Sequence, residues 1–112
     1  VAGGIWRPES PALRTLRQFI VDNPAGWKAA AHAPAFRRRY VLDDGDRLVR
    51  PPRGFPADFP FIDDLRHRSF VAMRPLDEDT LTGPRLRQVL ARDLRELAPF
   101  VDYLCAALDL EF

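Results

Sequence analysis

The chain has 112 residues, 46% of them apolar, and a formal net charge of +1. That length supports one domain with a real core. Apolar runs of only a few residues, such as Phe70-Val71-Ala72-Met73, exclude a membrane-spanning helix, and a charge near zero supplies no field for nucleic acid.

The opening Val1-Ala2-Gly3-Gly4 has neither the basic start nor the apolar run of a secretory leader. Val1 to Trp6 reads as part of a strand, so the expectation is one domain over residues 1–112 that forms the C-terminal part of a larger one. Ser10-Pro11 predicts a helix start, with Ser10 as N-cap and Pro11 at the first helical position. Leu13, Leu16 and Ile20 follow at helical spacing. Asp22-Asn23-Pro24 ends that helix and opens a second, which carries Trp27 and runs to Ala33, where Pro34 stops it. Phe36 to Leu42 is strand-like. Asp43-Asp44-Gly45-Asp46 predicts a hairpin turn into a second short strand, Arg47 to Arg50.

Residues 50–60 read RPPRGFPADFP, in which Pro51 and Pro52 end strand pairing for want of an amide proton. Gly54 permits a tight turn, Phe55 and Phe59 are placed to anchor the loop, and Asp58 is expected to start a short helix to Arg66. Ser69 to Arg74 alternates Phe70, Ala72 and Arg74 with Val71 and Met73. Apolar residues on both faces predict a central strand. Thr82-Gly83-Pro84 opens the longest helix. Its stripe Leu86, Leu90, Leu94, Leu97, Val101, Leu104, Leu108 steps by 4, 4, 3, 4, 3 and 4, with Pro99 inside it. The fold class is α+β: a small, mostly antiparallel sheet with helices packed on one face and a long C-terminal helix.

Four segments in order carry a resemblance. Gly3-Gly4-Ile5-Trp6-Arg7-Pro8-Glu9 is similar to a Gly-Gly-hydrophobic-aromatic-x-Pro-acidic helix entry. Arg47 to Phe55 is similar to a Leu-x-basic-x-Pro-basic-Gly-aromatic segment. Leu65 to Leu76 follows Leu-x-x-basic-Ser-Phe-x-x-x-Arg-x-Leu, and Ala98 to Leu104 follows x-Pro-hydrophobic-hydrophobic-Asp-x-Leu. Together they resemble the C-terminal half of domain-of-unknown-function family 2461, bacterial and fungal proteins. The resemblance implies an N-terminal half of helices and an Arg- and Lys-rich segment leading into sheet strands. It implies no activity. Where the family often has a histidine after the Asp that follows basic-Gly-aromatic, this chain has Phe59, so no histidine role carries over.

For chemistry the chain offers little. Cys105 is the only cysteine. It precludes an intrachain disulfide, points to a reducing, cytoplasmic setting, and has no neighbouring cation to activate it. His32, at the end of an alanine-rich helix, reads as a surface histidine. His67, between Arg66 and Arg68, is disfavoured as a cation and lacks a second ligand at metal spacing. Ser69 lacks a nucleophile elbow and reads as bonding backbone at the strand entrance. The acidic turn lacks the spacing of a calcium loop. Asp77-Glu78-Asp79 suits a helix start. No cofactor or metal is expected.

The arginines remain. Of 17 basic residues only Lys28 is not arginine, either from coding bias or because guanidinium forks serve anion recognition. Arg50, Arg53, Arg68 and Arg74 fall on strand ends and on the proline-stiffened loop, where a converging cluster would bind phosphate, sulfate or carboxylate. Pairing with Asp63, Asp64 or Asp77 is the structural alternative. Arg37-Arg38-Arg39, on a strand, cannot all line one pocket. The leading expectation is a domain binding a small anionic ligand or partner, with neither nucleic acid nor membrane, and with no indication of a homo-oligomer. Two competitors stand beside it. One is an enzyme on a phosphorylated or carboxylated small molecule, with its catalytic groups in the absent N-terminal half. The other is a structural interaction domain using the long helix.

Overall fold

The computed structural model describes residues 1–43, 45 and 47–109. Strand β1 (Ala2–Ile5) leads into helices α1 (Ser10–Asp22), α2 (Pro24–Ala31) and α3 (Pro34–Arg39). Strand β2 (Val41–Leu42), a 3₁₀ turn (Ile62–Arg66), strand β3 (Phe70–Met73), and helices α4 (Glu78–Thr82) and α5 (Leu86–Leu108) follow.

The sheet order is β1-β3-β2, antiparallel throughout, so β3 is the central strand that its two apolar faces predict. Register places Gly3, Ile5, Phe70, Ala72 and Leu42 on one face; α5 packs on that side, and α1, α2 and α4 pack against α5. A Cβ on Gly3 would meet Val101 and Leu97 of α5. The other face carries the exposed Val41 and Met73. Gly4, at φ +142°, lies so close to β3 that a Cβ would sit 1.9 Å from the Phe70 carbonyl oxygen. Only glycine fits there.

Trp27 centres the core. Its ring lies 5.9 Å from Phe70, 6.0 Å from Phe100 and 5.5 Å from Tyr103, which ties α2 to β3 and α5. The buried face of α5 is Asp93, Leu97, Phe100, Leu104 and Ala107, at steps of 4, 3, 4 and 3. This is the leucine stripe rotated: Leu94 is 60% exposed, and Asp93 is wholly buried beside it.

Several elements depart from expectation. Helix α1 begins at Ser10, not Pro11, because Leu13 N–H bonds back to the Glu9 carbonyl, which makes Glu9 the cap. Helix α2 ends at Ala31, and Pro34 starts α3 instead of stopping α2. A proline costs nothing in a first helical turn, and the turn is held by Phe36 stacking on Tyr40 and Phe100. The strand over Phe36 to Leu42 therefore shrinks to Val41–Leu42, and the three arginines 37–39 lie on a helix.

β2 pairs with β3, not with Arg47–Arg50, so the hairpin is replaced. Arg47 forms a single antiparallel bridge to His67, and Leu48 N–H bonds to the Arg66 carbonyl. Of the expected turn, Asp44 and Asp46 lie outside the described residues. The helix expected from Asp58 is a chain of i→i+3 turns until Ile62, since Pro60 has no amide to donate. Ahead of α5, Asp77 caps the separate turn α4 through Thr80 N–H.

Candidate anion-binding cleft

Ser10, Leu13 and Arg17 step by three and four along α1 and so share one face. That face, Arg7-Pro8 before it, Leu48 and Arg68 line a cleft of about 430 Å³. Arg7 holds the unusual φ of +45°. A non-glycine residue there carries about 1–3 kcal/mol of backbone strain, and its N–H is tied to the buried Ser69 hydroxyl oxygen at 2.9 Å. Ser69 thus bonds backbone at the strand entrance, as its position suggests. The Arg7 guanidinium lies over the Trp6 ring, 5.4 Å from its centroid.

Arg17 is the distinctive residue. It is 91% buried (9% exposed), and Nη2 donates to the His67 carbonyl at 3.1 Å, while Nε is buried with no hydrogen-bond partner. Burial, reinforced by the nearby Arg68 charge, pulls its pKa below the ordinary arginine value. Arg7 and Arg68 keep further interactions of their own. Three guanidiniums meet at this cleft, and the most buried has an N–H unspent.

The four arginines singled out from sequence are dispersed. Arg68 is in this cleft. Arg74 lies at the far end of β3, roughly 20 Å away along an extended chain. Its Nε and Nη2 donate to Asp93 Oδ2 at 3.1 and 2.5 Å, not to Asp63, Asp64 or Asp77. Burial by itself would raise the Asp93 carboxyl, but the Arg74 hydrogen bonds and charge outweigh it and hold the group below the usual carboxylate range. Arg50 and Arg53 are exposed on the proline loop and make no hydrogen bond or ion pair among the described residues. That loop is anchored by buried Phe59 and by Phe55, which lies under Arg14, 5.9 Å from its ring centroid.

The histidines are less ordinary than their neighbours suggest. His32 Nε2 lies 2.6 Å from Asp64 Oδ2, and its ring stacks on Phe61 at 4.8 Å. His67 is buried, with Nδ1 3.0 Å from the Asp43 carbonyl oxygen. Among the described residues no three His, Cys, Asp or Glu side chains form a metal-binding group. Sequence reading missed Arg7 and Arg17. The available signal for Arg17 was its place one turn past Leu13, among the apolar positions of α1.

A small α+β domain built around a central antiparallel strand, with a guanidinium-lined cleft at the mouth of its first helix, is the class this fold defines. The chain belongs to the conserved hypothetical protein family DUF2461, whose sequence profile matches residues 1–103. No curated protein and no solved structure matches it. No helix among the described residues is long and apolar enough to cross a membrane.

Proposed function

We propose that this domain binds a small organic anion, a phosphate or carboxylate, in the Arg7–Arg17–Arg68 cleft. The carrying observation is Arg17, a lining residue of the cleft whose buried Nε has no hydrogen-bond partner; a guanidinium so placed normally finds an anionic partner. Pro8, Leu13 and Leu48 in the same lining suit the carbon part of a ligand. The reading is of a cytoplasmic domain, supported by the lone Cys105. Its partner is a small molecule, not nucleic acid or a membrane.

Trp6, beside Arg7, is the reporter. Titration with inorganic phosphate, phenyl phosphate and benzoate, followed at the Trp6 indole N–H by ¹H–¹⁵N NMR, should give a saturable change with at least one of the three. Arg17→Gln and Arg68→Gln should each weaken it about ten-fold, the loss of one charge-assisted hydrogen bond. Affinity equal to the parent protein's in both variants refutes the site. So does weakening by Arg50→Gln or Arg53→Gln in their place, which moves binding to the proline loop.

A further inference from the structure

The segment that carries Arg68 has two sides. Arg47 and His67 sit opposite each other in an antiparallel bridge, and adjacent residues of an extended chain point to opposite faces. Leu48 and Arg68 therefore line the cleft already described, whereas Arg47 and His67 line another. This second cleft, about 300 Å³, is completed by Arg37, Val41, Leu42 and Asp64.

Its polar groups are held in place. Asp64 Oδ2 accepts from Trp27 Nε1 at 2.8 Å and lies 2.6 Å from His32 Nε2. An ionised carboxylate only accepts, so the His32 proton sits on Nε2. Asp64 Oδ1 has no hydrogen bond among the described residues, though the side chain is only 14% exposed. His67 donates Nδ1–H to the Asp43 carbonyl, which fixes its ring. Arg47 Nε is buried without a hydrogen-bond partner, and Arg37 stands at the exposed edge. Among the described residues, two guanidiniums and one half-used carboxylate thus share a small cleft, with no ion pair between Asp64 and either arginine.

We infer that this second cleft binds a small molecule carrying a phosphate or carboxylate group with an ammonium group a few bonds away. The anion meets Arg37 and Arg47, and the ammonium donates to Asp64 Oδ1. A simple anion satisfies the arginines and leaves the carboxylate unpaired, so the ammonium is the discriminating feature.

The chain has two tryptophans, one beside each cleft, so the two sites read out separately. The Trp27 indole N–H, bonded to Asp64, is observed by ¹H–¹⁵N NMR during titration with phosphoethanolamine and, as the matched probe without ammonium, ethyl phosphate. Phosphoethanolamine should shift the Trp27 indole signal saturably, and ethyl phosphate should bind about ten-fold more weakly. Arg47→Gln should weaken phosphoethanolamine by a similar factor. Asp64→Asn should remove the preference between the probes. Arg53→Gln, on the exposed proline loop and lining neither cleft, should leave the Trp27 titration unchanged. Should Asp64→Asn fail to fold, the probe pair and Arg47→Gln still decide. An indole signal unmoved by either probe at about 10 mM, the weak end of specific binding, overturns the inference. Equal response to the two probes, or an unchanged titration in Arg47→Gln, overturns it as well.

Discussion

Replacing Asp93 with alanine tests the buried ion pair between α5 and the end of β3. Asp93 is wholly buried on α5 and receives Arg74 through two N–H groups on Oδ2, while Arg39 Nη2 and Arg92 Nε each lie 3.5 Å from Oδ1. Removing one member of a buried pair costs about 3–5 kcal/mol because the other charge is stranded. Arg74 is 21% exposed and recovers some hydration, so the lower end, about 3 kcal/mol, is expected. At roughly 4 °C per kcal/mol for a domain of this size, that lowers Tm by about 12 °C. The double variant Asp93→Leu/Arg74→Met should regain much of the loss, since apolar replacement of both partners is often neutral.

The pH dependence has a definite sign. The folded-state pKa of Asp93 is depressed, so in acid the unfolded chain binds the proton first. The pair's contribution is therefore complete above the unfolded value of about 3.9 and disappears as pH falls through the lower folded value. Urea unfolding of parent and Asp93→Ala protein, from neutral pH down through that range, measures both effects. A loss below about 1 kcal/mol at neutral pH, as for a surface ion pair, refutes the reasoning. A gap between the two proteins that does not narrow in acid refutes it too.

Gly4→Ala should destabilise by about 3 kcal/mol or more, from the clash with the Phe70 carbonyl and the positive φ. Gly3→Ala, facing side-chain atoms at 3.2 Å, should cost far less; denaturant midpoints of the two variants compare them. Both tyrosine hydroxyls are raised above the ordinary value, Tyr103 by burial, and Tyr40 by burial and then the Asp93 charge. Ultraviolet titration of the folded protein should therefore show no phenolate near pH 10, the ordinary tyrosine value. Stability from the neutral phenols is whole below that pH and is lost as pH rises towards the folded values.

Much of the fold was legible because its signals are local. The alternation of Phe70 to Met73 marked the central strand, the 3.6-residue period marked α1 and α5, and Asn23-Pro24 marked the break between α1 and α2. The misreadings fall where a local signal admits two answers. Pro34 serves equally to stop a helix or to start one, and the stacking of Phe36 on Phe100, a residue far along the chain, selects the start. The Asp-Gly turn allows a hairpin, but β3 offers both edges and takes β2 for itself. The leucine spacing of α5 defines a face only to within one residue, and Arg74 turns that face so that Asp93 goes in and Leu94 out.

The candidate sites were the least legible part. By itself the sequence determined an arginine-rich α+β domain of its family, a central strand, a proline loop braced by Phe55 and Phe59, and Arg68 as an anion ligand to consider. Only the tertiary structure decided which arginines meet. Arg7, Arg17 and Arg68 come from a left-handed turn, a helix face and a strand entrance, and Asp64 is joined to His32 across 32 positions of chain. Such convergence depends on packing between distant segments, and residue spacing along one chain does not encode it.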